Sequence, residues 1–233
     1  MNFPGEKHQI LKSTQSALKE LLLKKELPSF YYLMAEEQSE GRGRSDHQWN
    51  SVRGNLHVSI LINEIPFNEI TWVPLWIATT VHETLSELGV QGERLNIKWP
   101  NDIWLDGSKK TGGILCEKIN QQITAGIGLN LKQAPLPDAG VVPSQVALDS
   151  TEVVQTLINK LKRTTSIEQI KEYYLRFALF RTGVSVTWKN EVSQEQLQGE
   201  VMGLGEYGEL QVKTQKGVVL LFSEDVRSVR SVK

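Results

Sequence analysis

The 233-residue sequence contains one cysteine, Cys116. A single cysteine excludes an intrachain disulfide and is typical of a reducing compartment. No apolar run approaches the ~20 residues of a transmembrane helix, and residues 1–9 lack the apolar core of a signal peptide. An excess of one charge is also missing, since 26 basic and 27 acidic residues give a net charge of −1. Proteins that coat nucleic acid are usually more basic. We therefore predict a cytoplasmic protein that binds neither membranes nor nucleic acid.

Apolar periodicity indicates a chain with both helices and strands. Hydrophobic residues make up 39% of the sequence, enough for one domain of moderate size with a small appendage. Residues spaced for one apolar face predict helices at about 14–25, 73–88, 153–161 and 167–177. Short apolar or β-branched runs predict strands at 30–35, 55–62, 95–99, 113–118 and 123–131. The intervening stretch 132–147 contains three prolines and is predicted to be a loop.

The sequence pattern changes after Gly183 and predicts five short strands separated by glycine or polar turns. Such a tail predicts a small β-barrel or sandwich. We place a domain boundary near residue 182, which gives one domain over 1–182 and a second over 183–233. The fold class predicted is α+β, with a central mixed or antiparallel sheet, helices on one face of it, and a small C-terminal β-barrel.

The most informative segment is Gly41-Arg42-Gly43-Arg44, followed by Trp49. Glycines allow a backbone to approach a ligand closely, and each guanidinium offers a planar fork of donors suited to phosphate or carboxylate. Trp49 adds a flat face for an aromatic base. The pattern suits a loop that holds a phosphorylated nucleotide, but by itself it is more often a solvated loop.

Three further motifs lie at the ends of predicted strands. They are Lys98-Trp99-Pro100-Asn101-Asp102, Lys109-Lys110-Thr111-Gly112-Gly113-Ile114 and Gly126-Ile127-Gly128-Leu129-Asn130. Taken singly, each is explained by packing, a hairpin turn or a strand cap. Their occurrence together and in this order, with the glycine–arginine segment, favours a functional site.

In this order and spacing the motifs resemble those of the biotin protein ligases, together with Ser13-Thr14 before a helix and Gln38 before the glycine–arginine segment. The resemblance covers essentially the whole chain, including the small C-terminal β domain. It implies a fold like that of class II synthetases and a first domain that binds biotin and ATP. It further implies a two-step reaction, in which biotin and ATP with Mg²⁺ give biotinyl-5′-adenylate and a lysine of a biotin carboxyl carrier protein then accepts the biotin.

The resemblance also implies roles for individual residues. Cationic donors offset the repulsion between a carboxylate and a phosphate, and the candidate catalytic residues are Arg42, Arg44 and Lys110. The biotin-binding set is Ser13, Thr14, Gln15, Gln38, Gly41, Arg42, Gly43, Arg44, Lys110, Gly112 and Gly113. The nucleotide-binding set is Trp49, Lys98, Asn101, Asp102 and Asn130, of which Lys98 and Asp102 are expected near the phosphates and the metal. No enzyme nucleophile is needed, so Cys116 is expected to be a buried strand residue.

The sequence departs from the family pattern at several positions near the site. The residues concerned are Lys12, Gln15, Glu40, Ser45, Asp46, His47 and Thr111. Ser45, Asp46 and His47 make the loop less basic than is usual. Many relatives carry an N-terminal helix-turn-helix domain, whereas Ser13 follows closely on Met1 here. We therefore expect a ligase that does not bind DNA directly, either a monomer or a homodimer.

Three other functions remain open from the sequence. A lipoate ligase or octanoyl transferase shares the catalytic architecture, but the glycine–arginine segment, Trp49 and the C-terminal β domain argue for biotin. A non-catalytic module that sequesters biotin or its adenylate would be expected to have lost Lys110 or the arginines of the loop. An RNA-binding loop would be expected to have a basic excess and further repeats.

Overall fold

The computed structural model describes residues 3–44, 47–163, 165–190, 194–223 and 226–232. Its fold is α+β, which confirms the predicted class. The elements in chain order are β1 (Gly5–Leu11), α1 (Thr14–Leu22), β2 (Tyr32–Gln38), β3 (Leu56–Ile62), α2 (Val73–Glu87), β4 (Leu95–Lys98), β5 (Asp102–Leu105), β6 (Lys109–Ile119), β7 (Gln122–Leu129), α3 (Ser150–Leu161), α4 (Ile167–Phe177), β8 (Ser185–Asn190), β9 (Gln196–Leu204), β10 (Leu210–Thr214), β11 (Gly217–Leu221) and β12 (Val226–Ser231).

The first seven strands form one mixed sheet in the order β1-β2-β3-β7-β6-β5-β4. Strand β1 runs parallel to β2, and every other neighbouring pair is antiparallel. The two central strands, β3 and β7, pair along their whole length from Leu56↔Leu129 to Ile62↔Ile123. Strand β3 is buried throughout, because helices cover both faces of this part of the sheet.

The two faces of the sheet carry different helices. Val58 and Ile60 of β3 belong to the main hydrophobic core together with α2, α3 and α4, whereas Leu61 packs with Leu18 of α1 in a second cluster. Successive residues of a strand point to opposite faces, so α1 lies on the face opposite to α2. The expectation that all helices share one face therefore holds for α2, α3 and α4 and is corrected for α1.

The helix boundaries follow from capping residues. The hydroxyl of Ser13 accepts from Ser16 N at the start of α1, and Ser166 forms the expected capping box with Gln169 at the start of α4. Side-chain oxygens at these positions satisfy backbone N–H groups that have no partner within the helix. Helix α1 ends at Leu22, a few residues before the predicted end.

The five predicted strands after Gly183 are all present and form an antiparallel sheet in the order β11-β10-β9-β8-β12. Within the described residues β11 and β12 are its outer strands, and no pairing between them closes the sheet into a barrel. Two indole N–H groups tie it to the first part of the chain, because Trp72 donates to Glu206 O at 2.8 Å and Trp99 donates to Gly208 O at 2.9 Å. The division of the chain at residue 182 stays a prediction.

Two strands were not predicted. Strand β1 (GEKHQIL) is mostly polar and is an edge strand whose partner, β2, follows only after α1. Strand β5 is short and forms the return of a tight hairpin with β4. None of the helices in the described ranges combines the length and the apolar character that crossing a membrane requires.

Candidate active site

A cleft of about 700 Å³ lies on the face of the central sheet that carries α1. It is lined by the start of α1, the glycine–arginine loop, the turn between β4 and β5, parts of β6 and β7, the loop after β7, and β12. The sequence-predicted residues that line it are Ser13, Thr14, Gln15, Gln38, Arg42, Gly43, Arg44, Trp49, Lys98, Asn101, Asp102, Lys110, Gly113 and Asn130. Residues from widely separated parts of the sequence are thus brought together as expected, with Gly41 and Gly112 as the exceptions.

At one end of the cleft, hydroxyl and amide groups form a fixed network. The backbone N–H and the hydroxyl of Thr14 both donate to Gln38 Oε1, at 2.7 and 3.1 Å, and Ser59 donates to the Thr14 hydroxyl at 2.9 Å. These bonds hold the oxygen of Gln38 towards α1 and leave its Nε2 on the side of Gly41. Gln38 therefore presents a donor to the cleft.

Gln15 presents the opposite polarity. Its Nε2 donates to Thr124 Oγ1 at 2.8 Å and to Thr124 O at 3.3 Å, and it contacts Leu115 O at 3.5 Å. Its Oε1 is buried and has no hydrogen-bond partner among the described residues. A buried acceptor without a partner is unusual in folded proteins, so this atom marks a place where a ligand donor fits.

The glycine–arginine loop folds back as a small hairpin. Gly43 N donates to His47 O at 2.7 Å, and Trp49 N donates to Gly41 O at 2.9 Å. A Cβ on Gly41 would lie 2.3 Å from Trp49 O, so glycine is required there by the close approach of the loop strands. Gly41 supports the loop and lines a shallower pocket beside the cleft, with Arg42, Gly43 and Arg44, and the biotin contact assigned to it stays a prediction. Ser45 and Asp46 lie outside the described residues.

Both arginines of the loop are anchored. Arg42 Nη2 pairs with Glu117 Oε1 of β6 at 3.0 Å. Arg44 donates to Asn101 Oδ1 at 3.1 Å and also to the carbonyl of Ser223, beyond β11. Asn101 thus holds an arginine of the loop in place, a role distinct from the nucleotide contact assigned to it, which stays a prediction.

The other end of the cleft is rich in cationic groups. Lys110 Nζ pairs with Asp102 Oδ1 at 2.8 Å. Lys98 Nζ lies 4.3 Å from the centroid of the Trp104 ring, and burial lowers the pKa of Lys98 to about 8. Arg230 of β12 reaches the same rim and disfavours the charged form of Lys98 further. Because positive charges crowd here around the carboxylate of Asp102, this end is suited to a polyanion.

Trp49 and Asn130 lie between the two ends. A Cβ on Gly128 would lie 2.4 Å from the Trp49 ring, so the indole rests directly on the backbone of β7. Asn130 Nδ2 donates to Gly140 O at 2.9 Å and Asn55 donates to Asn130 Oδ1 at 3.4 Å, which fixes the loop after β7. The adenine contacts assigned to Trp49 and Asn130 stay predictions.

The two adjacent glycines of β6 face opposite ways. Gly113 lines the cleft beside Lys110, and a Cβ on Gly113 would lie 3.2 Å from Lys110 Nζ. A Cβ on Gly112 would lie 2.4 Å from Leu129 in the main core. The side of β6 that a Gly112 side chain would occupy faces the core, because neighbouring residues of a strand point to opposite faces. The assignment of Gly112 to the biotin slot stays a prediction.

Several lining residues were missed from the sequence. The loop after β7 returns over the cleft, because Gly140 N donates to Lys110 O at 2.9 Å. This loop contributes Pro135, Leu136, Asp138 and Ala139. The other missed residues are Trp104 of β5 and Val229 and Arg230 of β12. The only available signal was the proline-rich loop that directly follows the Gly126–Asn130 motif.

The described residues contain no group of three or more metal-ligating side chains. Asp102 and Asp138 nevertheless place carboxylates in the cleft. A Mg²⁺ ion that binds substrate phosphates and water needs only one or two protein carboxylates. Asp102 beside Lys110 therefore fits an ion that arrives with a nucleotide. Cys116 of β6 packs partly buried against the core, and burial raises its pKa to about 12, which disfavours the reactive thiolate.

Comparison with known proteins shows the family of the chain. Residues 8–133 match the model of the biotin/lipoate A/B protein ligase family. The bifunctional ligase/repressor BirA of Bacillus subtilis is 29% identical over 94% of this chain and 72% of its own length. A biotin–[acetyl-CoA-carboxylase] ligase of Mycobacterium tuberculosis is 30% identical over 56% of this chain and 52% of its own.

A solved structure agrees with these matches. The biotin protein ligase of Aquifex aeolicus in complex with biotin and ATP superimposes with a TM-score of 0.81 at 26% identity, over 98% of this chain and 99% of the other. The matched segment 8–133 contains α1, the glycine–arginine loop and the strands that build the floor of the cleft. The chain belongs to the biotin/lipoate A/B protein ligase family.

Proposed function

We propose that this protein is a biotin protein ligase, which activates biotin with ATP to biotinyl-5′-adenylate and transfers the biotin to a lysine of a biotin carboxyl carrier protein. The observation that carries the proposal is the polarity of the cleft. One end presents an oriented donor on Gln38 and an oriented acceptor on Gln15, and the other end is cationic. Biotin has a cyclic urea at one end and a carboxylate at the other, which matches this order.

The first step forms a bond between a biotin carboxylate oxygen and the α-phosphorus of ATP and breaks the bond to pyrophosphate. Two anions must approach one another, and negative charge develops on the phosphate oxygens, so fixed cations lower the barrier. Lys110 and Lys98 supply such charges from the sheet, and Arg42 supplies one from the loop. When Mg²⁺ is bound beside Asp102, it would neutralise part of the phosphate charge.

The second step needs no nucleophile from the enzyme. The neutral amine of the carrier lysine attacks the acyl carbon of the mixed anhydride, the bond to AMP breaks, and the amine loses a proton. What the protein contributes is orientation and exclusion of water from an anhydride that would otherwise hydrolyse. The anchored glycine–arginine loop and the loop after β7 cover the cleft from two sides.

The proposal is tested by incubating the protein with ATP, Mg²⁺ and either biotin or lipoate, with and without a biotin carboxyl carrier domain. We expect pyrophosphate release with biotin and an amide-linked biotin on the carrier, detected as an increase in carrier mass. Release with lipoate and none with biotin would assign the protein to the lipoate branch of the family. Biotin binding without release would indicate a sensor that retains the pocket alone.

A further inference from the structure

Strand β5 places a carboxylate and an aromatic ring side by side on the wall of the cleft. Asp102 and Trp104 are two residues apart, so their side chains lie on the same face of the strand, and both line the cleft. The neighbouring strands bring one lysine to each of them. Lys98 of β4 is directly opposite Asp102, and Lys110 of β6 is directly opposite Trp104.

Each lysine nevertheless contacts the residue that is diagonal to it. Lys110 Nζ pairs with Asp102 Oδ1 at 2.8 Å. Lys98 Nζ lies 4.3 Å from the centroid of the Trp104 ring. Gly113, opposite Asp102, leaves the space for the ion pair, because a Cβ there would lie 3.2 Å from Lys110 Nζ and 3.3 Å from Asp102 Oδ1. The carboxylate of β5 is therefore occupied by Lys110.

The two lysines differ in consequence. The charge of Lys110 is partly neutralised by a carboxylate, whereas no carboxylate forms an ion pair with Lys98 among the residues that the structure describes. Lys98 is half-buried, and a partly desolvated ammonium is attracted to the face of an aromatic ring, most strongly to that of tryptophan. A ring attracts the ammonium without carrying a negative charge, so the cation can still bind an anion.

Trp104 is the ring that faces the substrate. Of the two rings near the Lys98 ammonium, that of Phe180 lies 5.8 Å away and belongs to the main core, whereas that of Trp104 is closer and lines the cleft. Trp104 Nε1 is buried and has no hydrogen-bond partner within the described ranges. Replacing the indole with another ring therefore breaks no hydrogen bond of the described residues.

From this arrangement we propose that Trp104 is a positioning residue for adenylate formation, whose ring holds the Lys98 ammonium in the cleft without neutralising it and so keeps it for the triphosphate of the nucleotide. The inference rests on the proposed function and adds to it a residue that the sequence motifs did not indicate. A carboxylate in place of the ring would compensate the ammonium and repel the phosphates. An aliphatic side chain would leave the ammonium without a contact that fixes it. Because Trp104 acts through Lys98, its effect concerns ATP and not biotin.

The test compares Trp104→Leu with Trp104→Phe in biotin-dependent release of pyrophosphate. Loss of a cation–π contact at a partly buried site corresponds to about a tenfold change in affinity, so Trp104→Leu should raise the KM for ATP about tenfold. The KM for biotin should stay at the wild-type value. Trp104→Phe keeps a ring under the ammonium and should restore most of the wild-type KM for ATP. A general loss of packing would instead lower the melting temperature and change both KM values.

A double-mutant cycle separates positioning from packing. In a Lys98→Met background Trp104→Leu should have no further effect on the KM for ATP, because the cation that the ring holds is absent. In a Lys110→Ala background it should keep its full effect. An equal effect of Trp104→Leu in the wild-type and Lys98→Met backgrounds would overturn the inference, as would a Trp104→Phe variant no better than Trp104→Leu.

The same cycle is measured without turnover by titration calorimetry, with and without biotin. The probe is an ATP analogue whose α and β phosphorus atoms are joined by a methylene group, which cannot release pyrophosphate. If the wild type releases pyrophosphate with biotin while the two substitutions are additive, only the role of Trp104 fails. Absence of biotin-dependent release by the wild type, with coupling between Trp104 and Lys98 in the calorimetric cycle, would refute the proposed function alone.

Discussion

The Lys110→Ala substitution tests whether the charge of Lys110 serves catalysis or the stability of the fold. Its ammonium pairs with Asp102 at 2.8 Å, and the two side chains are 41% and 20% exposed. Ion pairs this close to solvent contribute at most about 1 kcal/mol to stability. A donor aimed at developing phosphate charge contributes far more to the rate, and the loss of one typically costs about 10²–10³-fold.

We therefore expect Lys110→Ala to change the free energy of unfolding by less than about 1 kcal/mol and to slow adenylate formation by about 10²–10³-fold. The unfolding energy is measured by urea denaturation, and adenylation is measured as single-turnover pyrophosphate release at saturating biotin and ATP. Lys109→Ala is the matched control, because Lys109 is exposed on the same strand and does not line the cleft.

The reasoning about Lys110 would be refuted by a variant that forms the adenylate within about threefold of the wild type, far from the loss expected for a donor to the transition state. It would also fail if Lys109→Ala slowed adenylation equally, since the effect would then reflect general positive charge on β6. A large loss of stability in Lys110→Ala alone would show that the pair with Asp102 is structural.

The remaining predictions concern the loop, the pH dependence and the core. Arg42→Ala should release biotinyl-adenylate into solution, where free adenylate is measured by chromatography; retention as in the wild type would contradict the covering role of the loop. Burial lowers the pKa of Lys98 to about 8, so its charge is present below that pH and is lost above it. The rate at low ATP concentration should fall as pH rises through about 8, and Lys98→Arg should remove this fall; an identical profile in the variant would exclude Lys98 as its cause. Tyr174 has a buried hydroxyl with no partner among the described residues, so Tyr174→Phe should raise the free energy of unfolding by about 1 kcal/mol. Tyr173→Phe should lower the free energy of unfolding, because the Tyr173 hydroxyl lies 3.0 Å from His82 Nδ1. Urea denaturation measures both variants, and changes of the same sign in the two would contradict the prediction.

The elements with strong periodicity could be predicted closely. Helix α2 begins at Val73 and ends one residue before the predicted end, because its apolar residues and the glycine after it give consistent signals. Strand β1 was missed because its pairing with β2 is tertiary, and its own pattern of charged residues at an edge resembles a loop. Helix α1 was placed correctly along the chain but on the wrong side of the sheet, since periodicity says nothing about which face a helix covers.

The sequence predicted which residues lie near the site better than it predicted the direction in which their side chains point. Most residues of the motifs at strand ends do line one cleft, but a side chain at Gly112 would point to the core, because alternation along a strand depends on register. The contributions of Leu136 and Arg230 depend on how a loop and the C-terminal sheet return over the cleft, which no local pattern records. The anchoring of Arg44 by Asn101 and Ser223 also depends on contacts between distant parts of the chain.

The most direct test of the proposed function is pyrophosphate release by the purified protein with ATP and Mg²⁺, in parallel with biotin and with lipoate, followed by addition of a biotin carboxyl carrier domain. We expect release with biotin, little with lipoate, and a carrier whose mass increases by one amide-linked biotin. Release that depends on lipoate alone, or no release despite biotin binding, would contradict the assignment as a biotin protein ligase.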